Sequence, residues 1–232
     1  MLIFWDIDGT LMTCGADGTR ALDKTFLELY GVPGAFVRAG IGGAMDSAIV
    51  GRAMDGAGLG GADMDAFKAA YAENLEAILR ADTAKRVLPG VVALLKRARE
   101  REDGAGLLLT SNFRVGAEAK LRSVGLWEYF SDAGALGGFG DFQGEKWDAA
   151  RAALREAERL AGRGFRPDET VIVGDSAYDA RCARLLGWRN VAVATGWTSK
   201  AALAAERPDF LFDDLSDTRR AAAALGLPDG PL

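Results

Sequence analysis

The sequence predicts an α/β protein: a parallel sheet with helices on both faces, interrupted once by an all-helical insert. Short apolar runs recur along the 232-residue chain, and amphipathic stretches separate them. The alternation lapses over one region only, from about Asp17 to Lys85. A hydrophobic fraction of 49% supports a sizeable buried core.

Residues 2–5 are apolar and end in aspartate and glycine, the pattern of a buried parallel strand that hands polar groups to a loop. Residues 106–109, 170–173 and 190–194 repeat it, with a weaker run at 210–212. Helical stretches lie between them, at 90–101, 115–124, 146–160 and 177–186, with short segments after Thr198 and Leu215. This alternation predicts strands joined by crossovers on both faces. In the insert, Leu22, Phe26, Leu29 and Tyr30 have the i, i+4, i+7, i+8 spacing of one helix. Phe67, Tyr71, Leu75, Ile78 and Leu79 form the stripe of a second. Polar or glycine-bearing segments flank these stripes, which predicts a core of residues 1–14 and 87–232 and an insert of residues 15–86.

Composition narrows the function. Net charge is −5 with both signs scattered, so no basic stripe points to nucleic acid and no basic amphipathic segment to a membrane surface. The expected partner is a small diffusible molecule, and the expected assembly a monomer or homodimer. Cys14 and Cys182 lack the spacing of a disulfide framework or a zinc site and read as free thiols in a reducing compartment. The opening MLIFWDIDGT is apolar for only five residues and has no basic start, and no uncharged stretch reaches transmembrane length. A cytoplasmic protein is expected. The chain has no histidine, which excludes Ser-His-Asp hydrolases, Cys-His proteases and most zinc hydrolases. Acid-base chemistry falls to carboxylates, lysine, tyrosine or a metal-bound water.

In open parallel sheets the ligand sits beyond the carboxyl ends of the strands. There the sequence places Asp6, Asp8, Gly9 and Thr10 after the first strand, and Thr110, Ser111 and Asn112 after the next. Asp175 and Ser176 follow the third, with Asp179 one helical turn further on. Carboxylates from two strand ends form a hard oxygen site suited to Mg²⁺, and small hydroxyl and amide donors suit a phosphate. Unpaired, these carboxylates would repel one another; a divalent cation relieves the repulsion and neutralises an incoming phosphate.

In this order the motifs resemble those of the haloacid dehalogenase-like superfamily, in its phosphatase branch with a helical cap, of the phosphoglycolate phosphatase kind. DIDGT is similar to the first motif, LLLTSN to the second, Lys146 after GFGDFQGE to the third, and VGDSAYDA to the fourth. LPGVVALLKRA and GLWEYFSDAGALGGFGD look like the connecting segments, so the resemblance runs the whole length. It implies a Rossmann-like core, a cap formed by the insert, and Mg²⁺-dependent hydrolysis of a small phosphorylated metabolite through an aspartyl-phosphate. Phosphoglycolate and small sugar phosphates are the implied substrates. Asp6 would be the nucleophile, and Asp8 the acid and base whose backbone carbonyl also binds the metal. Asp6 and Asp175 would bind Mg²⁺ through carboxylate oxygens, with Asp179 in contact directly or through water. Gly9, Thr110, Ser111 and Asn112 would seat the phosphate, and Lys146 would offset charge there, with Lys120 as its rival by position.

Other residues receive plainer readings. Cys14 reads as a linker residue, and Trp127, Tyr129 and Phe130 as core packing. Arg38, Arg52 and Arg114 could reach a substrate anion, although most arginines lie on the surface. Two departures from the family stand out. Related caps tend to carry a Gly-basic-Thr-Asp loop where this chain has Gly43, Ala44, Met45 and Asp46, and an arginine-asparagine pair is replaced by Lys146 and Trp147.

Other functions share parts of this pattern. A sugar-phosphate mutase would use the same aspartyl-phosphate and return the phosphoryl group to the sugar. Hydrolysis of a carbon-halogen bond fits less well, because those relatives lack the aspartate that stands here as Asp8. A phosphonatase would need a Schiff-base lysine in the cap, for which Lys24, Lys68 and Lys85 offer no clear candidate. A non-catalytic phosphate-binding module would not be expected to keep both Asp6 and Asp8.

Overall fold

The computed structural model describes residues 1–36, 44–100, 105–131 and 136–228. Its centre is a six-stranded sheet. In chain order the strands of this sheet are β1 (Leu2–Trp5), β4 (Ala105–Leu109), β5 (Gly137–Gly138), β6 (Thr170–Gly174), β7 (Arg189–Val193) and β8 (Phe210–Phe212), arranged spatially as β5-β4-β1-β6-β7-β8. Every pairing is parallel, as the alternation predicts. β1 is central and buried along its whole length, with Trp5 opposite Leu108 on one side and Val173 on the other.

The strands bury both faces with period two. Ile3, Trp5, Leu108, Val171 and Val173 join one apolar cluster, while Leu2, Phe4, Leu107, Leu109 and Ile172 join the other. Helices α4 (Val91–Arg99) and α10 (Thr218–Ala224) add Leu94, Leu95 and Ala221 to the first cluster. Helices α7 (Lys146–Ala161) and α8 (Ala177–Leu186) add Ala150, Ala153, Cys182 and Ala183 to the second. Small residues on these helices let them lie close to the sheet. Helices α5 (Arg114–Ser123), α6 (Glu128–Ser131) and α9 (Lys200–Ala205) complete the alternation. Trp127 and Phe130 are buried, as predicted, and Tyr129 packs half-buried against them.

Between β1 and β4 the chain forms α1 (Asp17–Tyr30), α2 (Asp46–Gly56) and α3 (Met64–Ala81), entered through β2 (Met12–Thr13) and left through β3 (Arg86–Val87), which pair antiparallel. Asp63 caps α3 by accepting from the amides of Asp65 and Ala66. Phe26 of α1 meets Phe36 and Phe67 edge-on, so the two predicted apolar stripes do face each other. Leu29 departs from the prediction: it is 44% exposed, because the buried face of α1 runs through Ala21, Leu22, Thr25 and Phe26 instead.

Three strands are not predicted by the sequence. β2 and β3 are two residues each, too short for a periodic signal, and β5 is a pair of glycines with no side chains to read. Arg38, Gly43 and Arg101 lie outside the described residues. Among the described residues no helix is long and apolar enough to cross a membrane.

Candidate active site

The carboxyl ends of β1, β4 and β6 point into a cavity of about 470 Å³. Asp6, Asp8, Thr110, Ser111, Asn112, Lys146 and Asp175 all line it. Past Trp5 the ladder continues for one residue, with the Asp6 amide donating to Val173 O at 3.0 Å, which fixes Asp6 beside the tip of β6. The loop then closes on itself: Thr10, Leu11 and Met12 amides all donate to Ile7 O, and the Gly9 amide to Met12 O. Ile7 is fully buried, so the turn is anchored in the core while Asp6 and Asp8 remain at the cavity.

Asp6, Asp175 and Asp179 each offer a carboxylate oxygen within 4.8 Å of the others. All three are buried. Ser176 begins α8 with a reciprocal cap, its amide donating to Asp179 Oδ2 at 3.1 Å while its side chain accepts from the Asp179 amide. That cap holds Asp179 under the tip of β6. Thr10 donates to Asp175 Oδ1 at 3.4 Å. Gly9 and Gly196 press on the same carboxylate: a Cβ at Gly9 would lie 2.6 Å from Asp175 Oδ2, and one at Gly196 1.6 Å from it. Gly9 also has φ +75°, so only glycine fits that turn.

Lys146 and Lys120, rivals by position in the sequence, are both in the site, on different partners. Lys146 Nζ lies 2.7 Å from Asp179 Oδ1 and 3.3 Å from Asp6 Oδ2. It is 5% exposed, a buried ion pair and not a solvated first-turn lysine. Lys120 Nζ instead reaches Asp8, at 2.7 and 2.9 Å from its two oxygens, and Asn112 Oδ1 at 2.6 Å. Asn112 donates through Nδ2 to Asp8 Oδ2 and to Thr110 Oγ1, each at 2.7 Å. The Asp8 carboxyl is therefore turned away from the acidic cluster and clamped by one cation and one amide.

The two groups of carboxyls differ electrostatically. Burial lifts Asp6 to about 7; Lys146 opposes the shift, and Asp179 and Asp8 add to it. Burial, then the charges of Asp6 and Asp179, lift Asp175 to about 8. Burial would also raise Asp8, but the Lys120 charge and the hydrogen bonds from Lys120 and Asn112 more than offset it, and Asp8 falls below its ordinary value. One ammonium among three buried carboxyls leaves the cluster under-neutralised. Its donors are all oxygens, so it fits a hard divalent cation.

The remaining candidates fall away from the chemistry. Cys14 is buried, its thiol 3.9 Å from Asp8 Oδ1 and pushed up to about 11 by burial, so it is no nucleophile. Neither Arg52 nor Arg114 lines the cavity; Arg114 lies over the Phe139 ring at 5.1 Å. Trp147 packs half-buried against the second apolar cluster.

Two contributors were missed. Asp46, noted in the sequence only as part of a loop, is buried in the cavity wall with Oδ2 accepting from the Phe113 amide at 2.8 Å, and burial lifts it to about 7. Tyr71, predicted as core, is buried and also lines the cavity. Neither announces itself in the sequence: Asp46 opens a weakly amphipathic helix, and Tyr71 fits the apolar stripe of α3.

Known proteins resemble this chain in sequence and in fold. The chain is 31% identical over 237 residues to phosphoglycolate phosphatase 1 of Pseudomonas aeruginosa, covering 100% of this chain and 84% of that one. It is 34% identical over 142 residues to phosphoglycolate phosphatase of Synechococcus elongatus, a match that spans 61% of this chain and 62% of that protein. Crystalline CbbY from Rhodobacter sphaeroides in complex with phosphate shares the fold, with a TM-score of 0.70 at 22% identity over 97% of this chain and 99% of that one. The profile of the haloacid dehalogenase-like hydrolases matches residues 3–184. The chain therefore belongs to the haloacid dehalogenase-like hydrolase family, within its phosphatase branch.

Proposed function

We propose that this phosphatase hydrolyses a small phosphate monoester through an aspartyl-phosphate on Asp6, in the presence of Mg²⁺. One observation carries the reading: Asp6 sits within 4.8 Å of Asp175 and Asp179 while Asp8, two residues on, is held apart on Lys120. One carboxyl group is thereby assigned to the charged centre and its neighbour is kept for proton transfer.

Asp6, Asp175 and Asp179, with the backbone carbonyl of Asp8, are the residues that would hold Mg²⁺. The ion would neutralise phosphate charge and the repulsion among these carboxyls. Asp6 attacks phosphorus in line, the P–O ester bond breaks, and its electron pair leaves with the alcohol oxygen. Asp8 delivers a proton to that oxygen. An arriving phosphate raises the proton affinity of Asp8, so the acid form is drawn up as substrate binds. Asp8 then takes a proton from water, the water oxygen attacks phosphorus, and inorganic phosphate departs as Asp6 is restored. Thr110 and Ser111 seat the non-bridging oxygens, Gly9 shapes the turn and Asn112 positions Asp8 beside them, and Lys146 offsets the charge that grows on those oxygens.

The insert, residues 15–86, acts as a cap that closes over the cavity and excludes bulk water, pivoting at the β2–β3 pair. The relatives' names support phosphoglycolate as a substrate, and a small sugar phosphate fits the same seat. Both cysteines are free and buried, which supports a reducing cytoplasm. A monomer or homodimer completes the proposal.

The test is release of phosphate from an aryl phosphate and a metabolite panel with Mg²⁺. Wild type is expected to turn over and Asp6→Asn to lose at least about 10⁴-fold in kcat. A wild type no faster than Asp6→Asn across the panel would sink the reading. A phosphosugar isomerised without phosphate release would redirect it to a mutase.

A further inference from the structure

The phosphate seat explains one end of the cavity; the other end is built by the insert. Thr19 and Leu22 of α1, Asp46 and Ile49 of α2, and Tyr71 of α3 line it. Among the described lining residues the cations are Lys120 and Lys146, and both are engaged: Lys120 by Asp8 and Asn112, Lys146 by Asp179 and Asp6. Ala44 and Met45, just before Asp46, bring no charge.

Asp46 is held in place from two sides. Its amide donates to Ser111 O at 2.9 Å, and its Oδ2 accepts from the Phe113 amide at 2.8 Å, so it sits directly across the residues that flank Asn112. Next to it, the Ser47 amide donates to Gly140 O at 2.9 Å and its hydroxyl to Phe142 O at 3.1 Å. With Oδ2 committed to the backbone, Oδ1 is the oxygen that Asp46 can offer a ligand. A buried carboxylate accepts hydrogen bonds and repels a second carboxylate in surroundings where water screens little.

We infer that Asp46 is a specificity-determining residue that selects a substrate whose alcohol half carries a hydroxyl or ammonium donor and disfavours one that carries a carboxylate. The inference rests on the phosphatase reading above and narrows it, favouring hydroxyl- or amine-bearing phosphomonoesters over phosphoglycolate. It gives α2 a chemical role besides closing the cavity. Tyr71 and Thr19 lie on the same wall and add no positive charge, which suits a polar chain that brings its own hydrogen-bond donors.

Three esters of matched length make the test: O-phosphoethanolamine, 2-hydroxyethyl phosphate and phosphoglycolate, with an aryl phosphate as a control. The assay runs at about pH 8, where more of Asp46 is ionised than at the value of about 7 to which burial lifts it. Wild type is expected to favour the first two in kcat/KM. Asp46→Asn keeps an oxygen for the Phe113 amide and removes the charge. It should raise phosphoglycolate relative to phosphoethanolamine by roughly ten- to a hundredfold. Asp46→Ser is a second variant, expected to shift the ratio in the same sense.

Wild-type preference for phosphoglycolate would overturn the inference even if neither variant folds. So would variants that scale all three esters equally, since Asp46 would then be a docking residue alone. Failure of the underlying phosphatase reading looks different: no ester, the aryl phosphate included, would be turned over by wild type.

Discussion

The strand tips of the sheet and the helices of the insert both face the cavity, but they place their side chains by different physics. At the tips, position along the strand fixes everything: Asp6 follows Trp5, Asp175 follows Gly174, and parallel pairing of Trp5 with Val173 brings the two together. In the insert, the helices are set by their own apolar stripes, and what they show the cavity depends on how they dock. Asp46 reaches the site only because the first turn of α2 bonds to Ser111 O and the Phe113 amide. On the proposed reading, chemistry thus resides on the sheet and selection on the insert.

Lys120 is the residue that tests this division hardest, since it belongs to the core helix α5 yet lies against the insert. A Cβ at Gly18, at the start of α1, would come within 3.1 Å of its Nζ. If the division holds, its contacts with Asp8 place it with the chemistry. Lys120→Met should then lower kcat by about 10²-fold, the usual worth of a positioned acid or base, with KM changed little. A variant that raises KM and leaves kcat intact would put Lys120 on the selecting side and break the comparison.

The same contrast decides how much was legible in the sequence. β1, β4, β6 and β7 were readable because buried parallel strands are continuous apolar runs, and the chemistry sits at their ends. Asp6, Thr110, Asn112 and Asp175 all line the cavity as that logic requires. Asp8 was legible as a residue but not as a geometry, because Lys120, its clamp, is 112 positions away. Nothing in the spacing of α5 says that its one buried lysine faces a strand tip. Helix α2 has no comparable sequence signal, because its buried set, from Asp46 and Ser47 to Met54, mixes polar and apolar residues and is only weakly amphipathic. Leu29 failed for a related reason, since a stripe gives a face but not its width.

A pH titration of stability separates the two regions at smaller scale. The unfolded chain releases aspartate protons near the ordinary value of 3.8, whereas Asp6 and Asp175 hold theirs to about 7 and about 8. Folded-state values above unfolded ones mean that the native chain binds more protons across this window, so metal-free stability falls as pH rises through it. Asp46, at about 7, adds to the same slope. Thermal melts should show Tm falling from about pH 5 to about pH 8 without metal, and Mg²⁺ restoring more at the higher pH. Asp46 lies outside the acidic cluster, so Asp46→Asn should remove a part of the slope that Mg²⁺ does not. A metal-free Tm that rises over this range would reverse the electrostatic picture of the core.

The smallest expected effect is the most direct test of the insert as a separate, closing element. Ser47 bonds the sheet side twice, through its amide to Gly140 O and through its hydroxyl to Phe142 O. Ser47→Ala removes only the second bond. A neutral hydrogen bond of this kind is worth about 0.5–1.5 kcal/mol, or roughly a two- to tenfold shift in an equilibrium. If that equilibrium is closure of α2 over the cavity, the loss appears in kcat/KM for every ester alike, because the closed form is rarer but its seat is unchanged. Tm should then barely move, since Ser47 supports docking of the insert and not the core. If Tm drops and kcat/KM does not, the insert and the sheet melt as one body, and selection and chemistry share a single rigid frame.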